Sequence, residues 1–391
     1  MFVSDLNAGW MAHPFPFKQM LITEDTQIAT IQASGIKEIY IDTGCGLDAP
    51  HAPTAAESAA VTEEEIRSTA SEAGSAALNA VPMAEEFARA RRAYSDATRM
   101  VRKIMTDARL GKQLGLCEAQ QAVDKIVGSV LRNGSALMMV CRLREQHDYT
   151  FRHSVNVSVM LVNQAKAMGA DMDTLREVGL GGLIHDVGKM LVDPAVLNKP
   201  GRLNEDEFTH MRSHVDHGSA LLRRTSGVPK MAMAVLDEHH ERYDGSGYPY
   251  GLKGEAISLA GRMAALSDVY DAITSDRCYH KGMNPAEAMR RIFEWSKHHF
   301  DPSVTHAFVR SIGIYPVGSL VRLESGFLAI VVEQRENSLL RPVVRILFDT
   351  RHDHFIPPRD VDLSRPAGAM EQIVGHEDPG SWEIDISRFI G

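Results

Sequence analysis

Two adjacent histidines, His239 and His240, lead directly into a stretch that Gly245, Gly247, Pro249 and Gly251 punctuate as a sharp turn. Imidazoles in this arrangement are ligands for divalent cations, and four other segments offer groups of the same kind. In FRHSVNVSVMLVNQA, His153 shares a helical stripe with Asn156, Val157, Met160, Leu161 and Gln164, which turns it inward. In LREVGLGGLIHDVGK, the doublet His185-Asp186 is followed one turn later by Lys189. That set supplies a nitrogen ligand, an oxygen ligand able to bridge two ions, and a cation for phosphate. THMRSHVDHG carries His210, His214 and His217 on roughly one face, and spacing does not choose among them. SLAGRMAALSDVYDAITSDR sets Asp268 and Asp271 on a seam with Ala264, Ala265 and Ala272, where a carboxylate is costly unless a cation meets it.

Together these segments offer His153, His185, Asp186, one histidine of the 210–217 group, His239, His240 and Asp268. The number exceeds what one ion needs, so a two-metal centre bridged by Asp186 is the economical arrangement. Every ligand is an imidazole or a carboxylate. That chemistry suits Fe, Mn, Zn, Ni or Co in a reactive site rather than a thiolate-bound structural zinc.

The elements that must position these groups are helices. Residues 85–313 show long 3.6-period segments broken by Gly, Asn and Pro, which predicts an all-helical domain. Gly179, Gly181 and Gly182 inside one of those helices each cost roughly 1 kcal/mol against Ala, so another backbone or a ligand is expected to approach closely there. Residues 1–43 read as a small α+β module, with a short helix capped by Gly35 and a strand over 38–42. Residues 44–84, rich in Ala, Glu, Ser, Thr and Pro, are poor in large apolar groups and read as a linker, helical in part. Residues 314–391 alternate β-branched and polar positions and predict a short β-rich appendage. The fold class is therefore mainly α.

Composition narrows the function further. A formal charge of −9 excludes a broad nucleic-acid-coating surface. Hydrophobic residues make up 44% without a run long enough to span a membrane, and the first residues do not form a secretory signal, so a cytoplasmic address is expected. Cys45, Cys117, Cys141 and Cys278 include no C-x-x-C pair, which argues against a disulfide framework or a thiolate metal site.

Over residues 145–310 the segments DYTFRHSVNV, HDVGKMLVDPAVLNKPGRL, MRSHVDHG, HHERYDGSGYP, GRMAALSDVYDAITSDRCY and HFDP resemble the HD-GYP phosphodiesterases. This is a branch of the HD metal-dependent phosphohydrolases that acts on the bacterial messenger cyclic di-GMP. The resemblance implies an all-α HD-type domain and two divalent ions, with Fe or Mn foremost. It implies as ligands His153, His185, Asp186, His214, His239, His240 and Asp268, and it selects His214 over His210. Gly247, Tyr248 and Pro249 correspond to the signature loop, through which GGDEF-type diguanylate cyclases are implied as partners. The glycines there let the chain leave the helix end abruptly, with the loop expected as one wall of the site. The N-terminal module resembles a domain of unknown function often found ahead of HD-GYP domains. Some family members hold a third ion with a glutamate one turn before the first histidine; this chain has Tyr149 there, beside Asp148. Where the family places a lysine three residues after the arginine matching Arg277, this chain has His280, followed by Lys281.

The expected reaction is hydrolysis of cyclic di-GMP to linear pGpG and on to GMP, by in-line attack of a bridging metal-bound hydroxide. Lys189 is expected on a non-bridging oxygen and at the leaving group. Arg277, His280 and Lys281 are expected near phosphate, and Asp271 at a polar edge of substrate or water. Two other readings are a cyclic di-GMP sensor with little turnover and an HD phosphohydrolase for another nucleotide, including other cyclic dinucleotides.

Overall fold

Short alternating stretches at both ends of the chain and long helical periods between them set the order of elements. The computed structural model describes residues 1–7, 19–49, 51–71, 81–143, 149–199, 201, 203–276, 282–335, 338–365, 368 and 371–389. At the N-terminus Phe2–Asp5 (β1) pairs antiparallel with Met20–Leu21 (β2), and Asp25–Ala33 (α1) leads to Tyr40–Ile41 (β3) on the other edge of β1. The strand is shorter than the expected 38–42. Val3, Leu6, Ile31 and Ile36 form a small core of their own. The former linker region carries the helix Ala55–Ser71 (α2).

Helices then follow without an intervening strand among the described residues: Met83–Arg109 (α3), Leu116–Arg142 (α4), Tyr149–Ala167 (α5), Met172–Ile184 (α6), Pro194–Leu197 (α7), Glu205–Arg212 (α8), His214–Arg223 (α9), Lys230–Glu238 (α10), Leu259–Thr274 (α11), Pro285–Trp295 (α12) and Pro302–Ile312 (α13). α5 is buried at every position from His153 to Ala165, and α4, α6, α11 and α13 pack around it. α6 comes so near that a Cβ on Gly182 would lie 2.5 Å from Ser158 Cα. The glycines of this helix therefore serve helix–helix approach, which places the α6 terminus beside His153. α2 lies on α12 and α13 and buries Thr62, Ile66 and Thr69, so three well-placed residues dock a helix whose composition is otherwise polar and small.

α4 breaks at Asn133, whose φ of −161° and ψ of 99° are not helical. The side chain compensates. Its Nδ2 donates to Val81 O at 3.0 Å and to Glu333 Oε1 at 2.9 Å, and its Oδ1 accepts from Ala136 N at 3.2 Å, restarting the helix.

Glu333 belongs to the C-terminal sheet, formed by Leu320–Leu323 (β4), Phe327–Glu333 (β5), Val343–Asp349 (β6), His354–Asp362 (β7) and Ile373–Glu377 (β8) in the order β7-β6-β5-β4-β8, all antiparallel. Alternation along the strands sends Val321, Ala329, Val331, Val344 and Ile346 into the helical core. Leu320, Leu328, Ile330, Val343 and Leu347 join a second cluster with Met139 and Ile384. Both faces are thus covered.

The N-terminal module is fastened to α12. Arg291 reaches Asp5 at 2.9 Å, Trp295 Nε1 donates to Asn7 Oδ1 at 2.9 Å, and the Tyr40 hydroxyl donates to Glu294 Oε2 at 3.2 Å. Among the described residues no helix is long and apolar enough to cross a membrane.

Candidate metal centre

His153 projects from the buried α5 and Asp268 from α11, while the other candidate ligands sit at helix ends. His185 caps α6 and Asp186 follows it, His214 opens α9, and His239 and His240 follow the last turn of α10. All seven are at most 5% exposed.

Three imidazoles share one device. His185 Nδ1 donates to Gly182 O at 2.9 Å, His214 Nδ1 to Met211 O at 2.7 Å, and His239 Nδ1 to Leu236 O at 2.8 Å. Each acceptor is the carbonyl three residues back, which fixes the tautomer and leaves Nε2 to ligate. His153 is oriented by side chains instead. Its Nδ1 lies 2.7 Å from Asp271 Oδ2 and its Nε2 3.0 Å from Asp268 Oδ1. The other Asp271 oxygen accepts from Asn156 Nδ2 at 2.8 Å, and Asn156 Oδ1 accepts from the Tyr94 hydroxyl at 2.8 Å. His240 is placed by its ring, which stacks on Tyr248 with centroids 4.6 Å apart.

Asp186 stands between two groups of ligands. Its Oδ2 is 3.3 Å from His185 Nε2 and 3.5 Å from His153 Nε2. Its Oδ1 is 3.6 Å from His214 Nε2 and 3.8 Å from His239 Nε2. Asp268 makes the same span, with Oδ1 toward His153 and Oδ2 3.7 Å from His240 Nδ1. Donor atoms of His153, His185 and Asp268 cluster within 4.8 Å of one another, as do those of His214, His239 and His240, and those of His185, Asp186 and His239. Lys189 Nζ donates to Asp186 Oδ2 at 2.6 Å.

The donors fit divalent ions on two counts. His185 Nε2, Asp186 Oδ1 and His240 Nε2 are buried without a hydrogen-bond partner, an arrangement that is expensive unless a cation completes it. The protonation states also suit coordination. Burial, reinforced by nearby positive groups, pushes His214 down to about 4 and His239 to about 3, and holds His240 well below the usual imidazole range. Burial also opposes the charged forms of Asp186 and Asp268. Even so, His185 and Lys189 around the former, and His153 and His240 around the latter, hold both well below the ordinary carboxylate range. His153 is the exception: burial lowers its pKa, but Asp268 and Asp271 outweigh it and raise the imidazole to about 9.

A cleft of about 1210 Å³ opens over His153, Asp186, Lys189, His214 and Asp268. Its lining also includes residues that follow β8, among them Pro379, Ile384 and Ile386. The volume exceeds the roughly 300–1,000 Å³ usual for small-molecule sites.

Of the three histidines that spacing left open, His214 joins the centre. His210 Nε2 instead accepts from Asp193 N at 3.2 Å, next to α7. Asp271, expected at a substrate edge, lies behind His153 with both oxygens engaged. Gly247, Tyr248 and Pro249, expected as a wall, are not among the residues lining the cleft; Tyr248 stacks on His240 instead. Tyr149 stacks on His153, centroids 5.7 Å apart. Arg277, His280, Lys281 and Asp148 lie outside the described residues. Sequence reasoning gave no role to Asn156, Tyr94 or Glu241. Asn156 was visible on the His153 stripe and Glu241 directly follows the paired histidines, but nothing in the sequence ties Tyr94 to a residue 62 positions away.

Residues 139–304 match the family described as HD domain, and residues 1–119 match a domain of unknown function, DUF3391. Over 386 residues the chain is 43% identical to the cyclic di-GMP phosphodiesterase PA4108 of Pseudomonas aeruginosa, covering 98% of this chain and 91% of that one. It is 36% identical over 154 residues to the 3′3′-cGAMP-specific phosphodiesterase 1 of Vibrio cholerae, covering 39% of this chain and 36% of that one. Bd1817, a HDG"Y"P protein from Bdellovibrio bacteriovorus, aligns with a TM-score of 0.45 at 14% identity, covering 75% of this chain and 88% of that one. The chain belongs to the HD-domain phosphodiesterase family and is a hydrolase.

Proposed function

We propose that this enzyme hydrolyses cyclic di-GMP to linear pGpG, and pGpG onward to GMP, at a centre of two divalent ions. One ion is held by His153, His185 and Asp268, the other by His214, His239 and His240, with Asp186 shared. The observation that carries this reading is the Asp186 carboxylate, which turns one oxygen to each group of imidazoles. The substrate follows from the relative that matches nearly the whole chain, and the cleft has room for a dinucleotide. Iron or manganese is the metal proposed, the donors also suiting zinc, nickel or cobalt. When bound, two such ions lower the pKa of a water and polarise the phosphoryl oxygens.

The chain's own groups do the rest. Lys189, next to Asp186 at the cleft floor, donates to a non-bridging phosphoryl oxygen and stabilises the departing 3′ oxygen. Asp271 holds His153 in its ligating orientation. Arg277, His280 and Lys281 belong to the same proposal as phosphate contacts, as do a cytoplasmic site of action and GGDEF-type cyclases docking at the Gly247-Tyr248-Pro249 loop. The catalytic unit is proposed to span residues 85–313, after an N-terminal module over 1–43 and a connecting segment over 44–84, with the β-rich part over 314–391.

The test is product analysis of protein loaded with Mn²⁺ or Fe²⁺ and incubated with cyclic di-GMP. Linear pGpG followed by GMP is expected. Saturable binding of ligand that stays cyclic would make the protein a receptor, and faster cleavage of 3′3′-cGAMP would reassign the substrate.

A further inference from the structure

We infer that Glu241 is a positioning residue of the metal centre, acting on His240 through the loop that follows it. The inference rests on the two-ion reading above and adds a residue to it. His185, His214 and His239 are each anchored by a backbone carbonyl and His153 by Asp271. His240 has no such anchor. Its Nε2 is buried without a partner, its Nδ1 is 3.7 Å from Asp268, and its ring rests on Tyr248. Its ring also meets His239 and His214, which are themselves candidate ligands, so Tyr248 is the support that comes from outside the cluster.

Tyr248 is held by the residue next to the ligand. The Glu241 side chain is fully buried, and its carboxylate accepts from Tyr250 N at 2.8 Å through Oε1 and from Leu252 N at 2.9 Å through Oε2. These amides flank Gly251, whose φ of 62° turns the chain. One carboxylate thereby draws the far end of the loop back onto its beginning. Inside that closed turn, Tyr248 N donates to His240 O at 3.1 Å. Gly247 lies so close that a Cβ there would come within 2.5 Å of Glu241 Cα. The Arg212 guanidinium sits over the Tyr248 ring, 4.7 Å from its centroid, an arrangement with the geometry of a cation–π contact. Charge-assisted bonds from a carboxylate to two amides are among the stronger local restraints available, and no other acidic side chain is bonded to the amides of residues 248–252 among the described residues.

The consequence is selective. Loss of the Glu241 carboxylate loosens Tyr248 and His240 and so weakens one ion, while His153 keeps Asp271 and His185 keeps the Gly182 carbonyl, and with them the other ion. Isothermal titration of the metal-free protein with Mn²⁺ reads this directly, comparing wild type with Glu241→Ala and Glu241→Gln. In Glu241→Ala one of two sites is expected to weaken about 10- to 100-fold, the range seen when an outer partner of a ligand is lost, with the other site unchanged. Glu241→Gln, which keeps one acceptor oxygen and sets an NH2 against the other amide, is expected to recover only part of that loss. With cyclic di-GMP, kcat should fall while KM holds. Two sites of wild-type affinity together with wild-type kcat in Glu241→Ala would overturn the inference. Equal weakening of both sites in step with lost helix content would also overturn it, leaving Glu241 a general folding residue. Should Glu241→Ala fail to fold, Tyr248→Leu tests the same path and should weaken the same single site. A wild type that binds two ions yet leaves cyclic di-GMP intact would remove the activity proposed above and leave the titration to judge Glu241.

Discussion

On one side of the centre His153 leans on Asp271, Asp271 on Asn156 and Asn156 on Tyr94, a relay of side chains drawn from α11, α5 and α3. On the other side His214 and His239 rest on carbonyls of their own helical turns, and His240 rests on Tyr248 from the adjoining loop. The first half is assembled from distant segments and carries a proton-rich imidazole among carboxylates. The second is built locally and is neutral. A remote substitution can therefore reach the first half, whereas the second answers to residues within a few positions of its ligands.

Asp186 turns one oxygen to each half, so its removal should erase the contrast. Asp186→Ala is expected to lose both ions and to lower turnover by about 1,000-fold or more, since the ions supply several kcal/mol of transition-state stabilisation; metal counting beside the turnover assay checks it. Retention of one ion would show that the halves are independent. A smaller and one-sided effect is expected from Asp271→Ala, which removes the brace of His153 alone. Metal affinity at that half should fall about 10- to 100-fold, with the His214 side unchanged in the same titration.

A third contrast is a matter of pH and stability in the metal-free protein. His214 and His239 have pKa values of about 4 and about 3 in the fold, below their ordinary value. The unfolded chain thus takes up protons below pH 6.5 that the fold refuses, and the stability these residues contribute is full above that pH and lost as it falls. Between pH 7 and pH 5 each should remove about 2 kcal/mol. His153 works in the opposite sense. Raised to about 9, it contributes fully below pH 6.5 and loses its contribution as pH climbs through 9. Thermal unfolding should therefore peak near neutrality, with His214→Gln flattening the acid limb and Asp271→Ala the alkaline one. An acid limb untouched by His214→Gln would break the assignment of neutrality to that half.

How much of this was legible follows from what each residue's signal depends on. The cluster could be found because imidazoles and carboxylates on buried stripes announce themselves, and the place of His214 in it needed only a choice among three spaced histidines. The glycines of α6 pointed to close approach, which Ser158 supplies. Asp271 was visible as chemistry, but its direction was not: one turn from Asp268 on α11, it faces α5, and that depends on how two helices cross. The docking of α2 was hidden because Thr62, Ile66 and Thr69 are scattered in an Ala- and Glu-rich run, where partners on α12 and α13 decide burial. The break in α4 depends on Glu333, 200 positions from Asn133.

The lining residues beyond β8 emerge from synthesis only after every candidate ligand has been made, since Pro379, Ile384 and Ile386 follow Asp268 by more than a hundred positions. Any chain interrupted between residues 268 and 379 therefore has the full set of candidate ligands and lacks this part of the cleft lining. A fragment trimmed to residues 139–304, the span of the HD match, contains all seven candidate ligands and omits both Tyr94 and these lining residues.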